Sequence, residues 1–297
     1  MKILRFNDDR VGVLNGEAVV DVSDVISHRE YRGPQGTMEE LIANFASYRP
    51  KIEAKVAAGG GRPVSSVKLL APLPRPARVL AAFVNYLDRP DRTVDTLPLE
   101  FFHKSPHLVG PGGTVELPDI EQVAEFHAEA ELAFVIGREA WKVSEAAAMD
   151  HVFGYVPFFD VSARGLVRRS QLLPKGQETF APCGPWITTR EEVADPHNLT
   201  VRSWVSGEAR QSYSTRDMAH GIAKQIAWLS RFVRLRPGDV IATGTYHEGL
   251  GPIHVGDTLE IEISGLGRAS FKVAGDSPRK AKGHQPGGGV RIEITKV

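Results

Sequence analysis

The stretch HAEAELAFVIG, His127 to Gly137, has the pattern of a β-strand with carboxylates at its start and only apolar residues toward its end. Alternate side chains of extended backbone share a face, so His127, Glu129 and Glu131 are predicted to point the same way. Both faces become apolar toward Gly137, which predicts a strand buried on both sides with its carboxylates facing a cavity. Two ionised carboxylates in such a cavity repel each other and lose hydration, so a bound cation would stabilise them. A solvated strand end is the alternative reading of the Glu-x-Glu pattern alone.

A third carboxylate ends the next apolar run, VFGYVPFFDVSARG, Val152 to Gly165. Asp160 follows a series of aromatic residues and would be costly to bury without a partner. Arg164 could form an ion pair with it, or Asp160 could join Glu129 and Glu131 at a metal ion. Three carboxylates form the oxygen-rich site that Mg²⁺ or Mn²⁺ prefers, and Ca²⁺ is also compatible. No cysteine or paired-histidine spacing indicates zinc.

The remaining segments indicate a β-rich mixed fold in two parts and a tail. Residues 1–68 are expected to form a small N-terminal domain of short antiparallel strands and one helix that begins at Thr37, with the Gly-rich stretch 57–66 as linker. Residues 69–276 are expected to form the larger domain, mostly strands, with helices after Ser144 and from Ser214 to Val233. Residues 277–297 are read as a basic, Gly-rich tail with a terminal strand, VRIEITKV.

Composition narrows the class of partner to a small molecule. The 297 residues carry 36 lysines and arginines against 36 aspartates and glutamates, so nothing favours nucleic acid or a membrane surface. The single cysteine, Cys183, forms no intramolecular disulfide, and neither a signal peptide nor a spanning segment is recognisable. We therefore expect a cytoplasmic protein.

Seven colinear blocks between about residues 70 and 270 resemble the fumarylacetoacetate hydrolase (FAH) family. They are Lys104-Ser-Pro, the GPGGTVELP segment, Glu-x-Glu-Leu-x-x-Val-Ile-Gly, Asp-Val-Ser-Ala-Arg, Lys175, Gly184 to Thr189 and Pro237 to Thr245. The first 60 residues also look like the small N-terminal domain that many members carry. The fold class implied is α+β and β-rich, an FAH-type mixed β-roll or β-sandwich with a small N-terminal α/β domain, in a homodimer.

The resemblance also implies roles for particular residues. Glu129, Glu131 and Asp160 would be the ligands of Mg²⁺ or Mn²⁺. Lys175 would be catalytic and, with Thr245, would reach the substrate or its metal-coordinated oxygens. Tyr86 would line the pocket. Tyr246, which stands where the family commonly has the proline of a Gly-Thr-Pro turn, is expected to help shape that pocket.

The lid departs from the family pattern. Many members carry Asn-Tyr-x-x-His-x-x-Glu there, and the histidine and glutamate activate water. Here the segment is NYLDRPDR, with Arg89 and Arg92 in those two places. The two arginines could bind an anionic substrate or pair locally with Asp88 and Asp91.

A general base must then come from another residue or from water activated at the cation. The candidate catalytic histidines are His127 on the glutamate face, His103 just before the Lys-Ser-Pro block, and His247 in the loop GTYHEGLGP.

Three functions follow from these features. The first is a divalent-metal-dependent hydrolase that cleaves a carbon–carbon bond in a 1,3-diketo acid or acylpyruvate-like compound in catabolism. The second keeps the metal but acts as a decarboxylase, isomerase, hydratase or dehydratase on a small anionic 2-oxo acid. The third is a non-catalytic binding protein on the same scaffold.

Overall fold

A computed structural model of the chain describes residues 1–27, 29–166 and 170–277. Two β-sheets dominate it. The larger sheet contains β1 (Lys2–Phe6), β2 (Arg10–Asn15), β3 (Ala18–Asp21), β4 (Arg62–Pro63), β5 (Leu69–Leu70), β6 (Val79–Ala82), β7 (Phe101–His103), β9 (Glu125–Ile136), β10 (Val152–Arg164), β11 (Ile187–Thr189), β14 (Val240–Ala242) and β15 (Pro252–Ile253). The smaller sheet contains β8 (Thr114–Leu117), β12 (Thr200–Val205), β13 (Glu208–Ser214), β16 (Thr258–Ile263) and β17 (Gly267–Gly275). The β-rich mixed fold predicted from the sequence is confirmed.

The strand order places the longest strands in the middle of the larger sheet. The order is β4-β3-β2-β1-β11-β10-β9-β14-β6-β7, with β15 also paired to β9 and β5 to β1. The smaller sheet has the order β13-β12-β16-β17-β8. Strands β9 and β10 pair antiparallel over their whole length and are buried almost throughout, so any polar side chain on them faces the protein interior.

The first 25 residues form the antiparallel strands that their alternation predicts. The turn after β1 has left-handed backbone at Asn7 and Asp9, and the turn after β2 has it at Gly16, conformations that asparagine, aspartate and glycine adopt more readily than other residues. Strand β1 pairs with β2 on one side and with β11 on the other. One sheet therefore crosses the expected boundary at residues 68 and 69, and the division into domains stays a prediction.

Among the described residues, α-helices occupy five segments: α1 (Arg29–Ala43), α2 (Phe45–Ala57), α3 (Glu145–Ala148), α4 (Leu172–Lys175) and α5 (Ile222–Leu229). The expected helix start at Thr37 is wrong. The Thr37 hydroxyl donates to the carbonyl of Gly33, at the break within α1, so Thr37 lies inside the helix rather than at its cap.

The expected helix from Ser214 to Val233 is also wrong at its ends. Ser214 ends β13, and its hydroxyl caps a 3₁₀ turn over Thr215–Asp217. The α-helix begins only at Ile222, after Gly221, and ends at Leu229. The apolar stripe behind that prediction is nevertheless buried, because Ile222, Ile226 and Leu229 lie in the core.

The stretch 57–66, which the sequence indicated as a linker, contains regular secondary structure. It contains β4, which pairs with β3, and a 3₁₀ turn over Val64–Ser66. The expected basic tail and its strand VRIEITKV lie outside the described residues, except for Ser277. Within the described ranges, no helix is long and apolar enough to cross a membrane.

Candidate active site

Strands β9 and β10 bring the three carboxylates together. Their register pairs Asp160 with Glu129 and Phe158 with Glu131, so all three acidic side chains share one face of the sheet. One oxygen from each of Glu129, Glu131 and Asp160 lies within 4.8 Å of the others, and all three residues are buried. The alternation in HAEAELAFVIG predicts the shared face of Glu129 and Glu131, and Asp160 joins them from β10. Its oxygen-only donor set suits a hard divalent cation such as Mg²⁺ or Mn²⁺.

Three basic side chains converge on two of these carboxylates. Lys175, at the end of α4, donates from Nζ to Glu129 Oε2 at 2.7 Å and to Asp160 Oδ2 at 2.6 Å. Lys104 Nζ lies 2.6 Å from Asp160 Oδ1 and donates to the carbonyl of Val161 at 2.9 Å. The Arg164 guanidinium forms an ion pair with the other oxygen of Glu129.

Arg164 therefore does not pair with Asp160 in the way that the sequence allowed. The two oxygens of Asp160 pair with Lys104 and Lys175 instead. Arg164 stands opposite Glu125 in the register, and its guanidinium reaches the side chain of Glu129.

Glu131 has a different environment from its two neighbours. Its Oε2 accepts a hydrogen bond from the backbone N–H of Gly244 at 2.8 Å, and no basic side chain of the described ranges forms an ion pair with it. Burial, together with the charges of Asp160 and Glu129, holds its pKa well above the usual range. A divalent cation would relieve this repulsion, so the residues present fit a metal ion.

Glu129 shows the opposite behaviour. Burial raises its pKa, but the charges of Lys175 and Arg164 outweigh burial and hold the pKa well below the usual range. Burial lowers the pKa of Lys104 to about 8, with a further contribution from the neighbouring charge of Lys175. At pH 7 the cluster thus contains ionised Glu129 beside mostly protonated Lys104.

The glycine loop after β14 closes one side of the carboxylate cluster. Thr245 donates its hydroxyl to the carbonyl of Ala130 at 2.8 Å and accepts from the Gln211 amide at 2.8 Å. The Tyr246 ring stacks on Tyr213, with ring centroids 5.8 Å apart. Tyr86 is fully buried and packs edge-on against the same Tyr213 at 5.1 Å. Thr245 thus binds the backbone of the strand that carries the two glutamates, and Tyr246 and Tyr86 both pack on Tyr213.

The two lid arginines both pair with neighbouring aspartates. Arg89 lies 3.6 Å from Asp91 in an exposed pair, whereas Arg92 is buried against Asp88. The same Asp88 accepts from His247, from the ring Nδ1 at 2.7 Å and from the backbone N–H at 3.0 Å. Local pairing is therefore the arrangement seen here, and binding of substrate by the arginines stays a prediction.

The candidate histidines lie in three different surroundings. His103 is exposed at the end of β7. His127 shares the face of the glutamates, but its Nε2 lies 2.8 Å from Glu125 Oε1, and burial lowers its pKa. His247 lies in the glycine loop with its ring held by Asp88.

Four residues that contact this site carried no expected role: Lys104, Gln211, Tyr213 and Asp88. Lys104 stands in the Lys-Ser-Pro block, which is the signal that could have identified it. Gln211 and Tyr213 lie on β13, a strand that was not predicted, and both bind the backbone of Ala130. Asp88 was considered only as a local partner of the lid arginines.

Comparison with known proteins gives matches over most of the chain. The family model for the fumarylacetoacetate (FAA) hydrolase C-terminal domain matches residues 78–274. A maleylpyruvate hydrolase of Aquipseudomonas alcaligenes is 30% identical over 289 residues, covering 92% of this chain and 99% of the relative. A mitochondrial oxaloacetate tautomerase of Homo sapiens is 39% identical over 225 residues, covering 71% of each chain.

A solved structure resembles the whole described fold. The maleylpyruvate hydrolase of Sphingobium sp. SYK-6, crystallised with manganese(II) and pyruvate, superposes with a TM-score of 0.83 at 36% identity. The match covers 93% of this chain and 99% of that one.

Proposed function

Because the chain belongs to the fumarylacetoacetate hydrolase family, we propose that it is an enzyme of small oxo acids, a divalent-metal-dependent hydrolase that cleaves a carbon–carbon bond in an acylpyruvate-like compound. The observation that carries the proposal is the buried cluster of Glu129, Glu131 and Asp160 with basic side chains around it. The maleylpyruvate hydrolase relative supports the choice of reaction, because it matches this chain over nearly its full length. Maleylpyruvate is itself an acylpyruvate.

The three carboxylates would hold Mg²⁺ or Mn²⁺. When bound, such a cation polarises the oxo groups of the substrate and stabilises the negative charge that develops as the carbon–carbon bond breaks. Manganese in the Sphingobium structure supports this choice of ion.

The charges around the site favour a substrate with two negative charges. Glu129, Glu131 and Asp160 contribute three negative charges when ionised, and Lys104, Lys175 and Arg164 contribute three positive ones. A divalent cation adds two positive charges to this balanced set. Buried charge without compensation is costly, so a dianion would restore neutrality. An acylpyruvate with a second carboxylate has this charge.

Lys175 and Lys104 have the geometry to stabilise an oxyanion. Both ammonium groups are buried and lie within 2.7 Å of carboxylate oxygens, so their positions are fixed before substrate arrives. Preorganised donors of this kind need little reorganisation during reaction. We assign Lys175 to the developing enolate oxygen and Lys104 to holding Asp160.

A second reaction on the same metal is tautomerisation, isomerisation or decarboxylation of a dianionic 2-oxo acid. The lid observation favours it, because Arg89 and Arg92 stand where many relatives have a water-activating histidine and glutamate. The oxaloacetate tautomerase of Homo sapiens, at 39% identity, is a relative with this type of reaction.

Steady-state turnover of a panel of acylpyruvates tests the hydrolase. The panel should include maleylpyruvate and a monoanionic analogue, with Mn²⁺ or Mg²⁺ and then with chelator. We expect turnover that favours the dianion, that chelator abolishes, and that Glu131→Ala removes. A turnover rate that chelator does not change would refute the metal dependence. Metal uptake without any turnover would instead indicate a binding protein.

A further inference from the structure

We propose that Asp88 and His247 form a carboxylate–imidazole dyad in which His247 Nε2 is the general base and Asp88 the residue that orients it. The inference rests on the proposed hydrolysis and assigns the base that the lid sequence leaves open. The two residues lie 159 positions apart, one in the lid and one in the glycine loop.

The contact between them determines which nitrogen of His247 is available. Asp88 Oδ2 lies 2.7 Å from Nδ1 and 3.0 Å from the backbone N–H of the same residue. An ionised carboxylate only accepts hydrogen bonds, so in the neutral ring Nδ1 carries the proton and Nε2 keeps a free lone pair. That tautomer is the one a general base acting through Nε2 requires.

Asp88 is built to remain ionised. Its side chain is only 1% exposed, and burial alone would raise its pKa. The hydrogen bonds from His247 and the charge of Arg92 outweigh burial and lower the pKa to about 2. Arg92 Nη1 also lies 3.2 Å from His247 Nδ1, but a protonated Nδ1 has no lone pair with which to accept a hydrogen bond from Arg92. Arg92 therefore acts on Asp88, as the counter-ion of the dyad.

The loop that carries His247 is part of the carboxylate site. Three residues earlier, Gly244 donates its N–H to Glu131, and Thr245 binds the backbone between the two glutamates. His247 is also close enough to Glu129 to interact electrostatically with that carboxylate. The His247 side chain is 34% exposed, so water can reach the ring.

The other candidate histidines fit the role less well. His103 is exposed at a strand end, and no carboxylate among the described residues forms an ion pair with it. His127 has its Nε2 against Glu125 at 2.8 Å, and its Nδ1 is sealed inside the protein.

In the proposed hydrolysis, His247 Nε2 takes a proton from water, and the water oxygen forms a bond to the acyl carbonyl carbon of the substrate. The bond from that carbon to the methylene carbon then breaks, and its electron pair stays on the pyruvate fragment as an enolate. The enolate takes the proton at carbon from the imidazolium. The products are a carboxylic acid and pyruvate, and His247 returns to its starting state.

Kinetics of Asp88→Asn, His247→Gln and the double variant test the dyad. We expect each single variant to lower kcat about 100-fold or more with KM changed less than about threefold. The double variant should be no slower than His247→Gln, because both changes disable one unit. Asp88→Glu should recover part of the loss. Losses that multiply in the double variant, or a change confined to KM, would overturn the proposal.

A matched control exists elsewhere in the chain. Asp195 accepts from the backbone N–H of His197 at 2.9 Å and lies 3.7 Å from its Nδ1, the same type of contact outside the site. Asp195→Asn should leave kcat unchanged. Mn²⁺ affinity by calorimetry should match wild type in Asp88→Asn and His247→Gln, because neither residue is a ligand.

The tautomer of His247 gives a readout independent of turnover. Nitrogen-15 NMR of the histidine ring should show the Nδ1–H form in wild type and its loss in Asp88→Asn. An Nε2–H form in wild type would overturn the dyad even if acylpyruvates are turned over. If wild type shows the Nδ1–H form but hydrolyses none of the acylpyruvates, the result would instead count against the proposed hydrolysis.

Discussion

The same chemical change at two positions of β9, separated by one residue, should have opposite effects on the metal-free protein. Glu131→Gln and Glu129→Gln each replace a buried carboxylate by an amide of the same shape. Glu129 is held by Lys175 and Arg164, whereas Glu131 accepts a hydrogen bond from a backbone N–H and is repelled by its acidic neighbours. We expect Glu129→Gln to destabilise the metal-free protein and Glu131→Gln to stabilise it.

The magnitudes follow from the contacts. Removing the Glu129 charge leaves the buried Lys175 and the partly buried Arg164 with one partner fewer each, which costs about 3–5 kcal/mol. At Glu131, two carboxylates within 4.8 Å each repel it by about 3 kcal/mol at an effective dielectric constant of about 20. The nearby charge of Lys175 and the partial protonation of Glu131 offset most of this repulsion. Glu131→Gln should therefore raise the free energy of unfolding by about 1–2 kcal/mol.

Both variants should lose metal affinity, because each loses one of three carboxylate ligands. Changes to residues that only support a ligand typically cost 10–100-fold, so loss of a ligand should cost about 100-fold or more. Denaturant unfolding in chelator measures stability, and calorimetry with Mn²⁺ measures affinity. Equal destabilisation by both variants, or Mn²⁺ affinity retained in Glu131→Gln, would refute the reasoning about the site.

Three further outcomes are expected. Lys104→Met should lower the free energy of unfolding by about 1–3 kcal/mol in a urea titration, because Asp160 keeps Lys175 but loses its second charged partner; an unchanged midpoint would contradict the buried pair. The stability that ionised Asp88 contributes should be fully present above pH 3.8 and should be lost as pH falls through about 2, because its pKa is lower in the folded protein than in the unfolded chain. The difference in free energy of unfolding between wild type and Asp88→Asn should therefore shrink in acid. A difference that stays constant with pH would argue against an ionised Asp88. Removal of Mn²⁺ supplied at about 100 times its Kd should lower Tm by about 5 °C in calorimetric scans, and an unchanged Tm would indicate no metal bound to the folded state.

The shared face of Glu129 and Glu131 was predictable from alternation alone, and Asp160 was a candidate third member of the cluster. Alternation places Glu129 and Glu131 on one face of a strand, and antiparallel pairing with the next long apolar run brings Asp160 to the same face. Burial on both sides of β9 followed from its apolar neighbours. These steps need only local pattern and the pairing of two adjacent strands.

The partners of the carboxylates were not predictable in the same way. Lys104 and Arg164 reach them through cross-strand register and loop position, which no local pattern encodes. The contact of Asp88 with His247 joins segments 159 residues apart. The start of α5 was mistaken because Ser214 caps a 3₁₀ turn rather than an α-helix. An apolar stripe shows which residues are buried more reliably than where a helix begins.

The most direct test of the proposed function is turnover of a dianionic acylpyruvate in water enriched in oxygen-18, with Mn²⁺ present. If the enzyme is a hydrolase, the substrate splits, and the released carboxylic acid carries one oxygen-18 atom by mass spectrometry. Recovery of the intact carbon skeleton with only exchange of the methylene hydrogens, or release of carbon dioxide, would contradict hydrolysis and favour tautomerisation or decarboxylation.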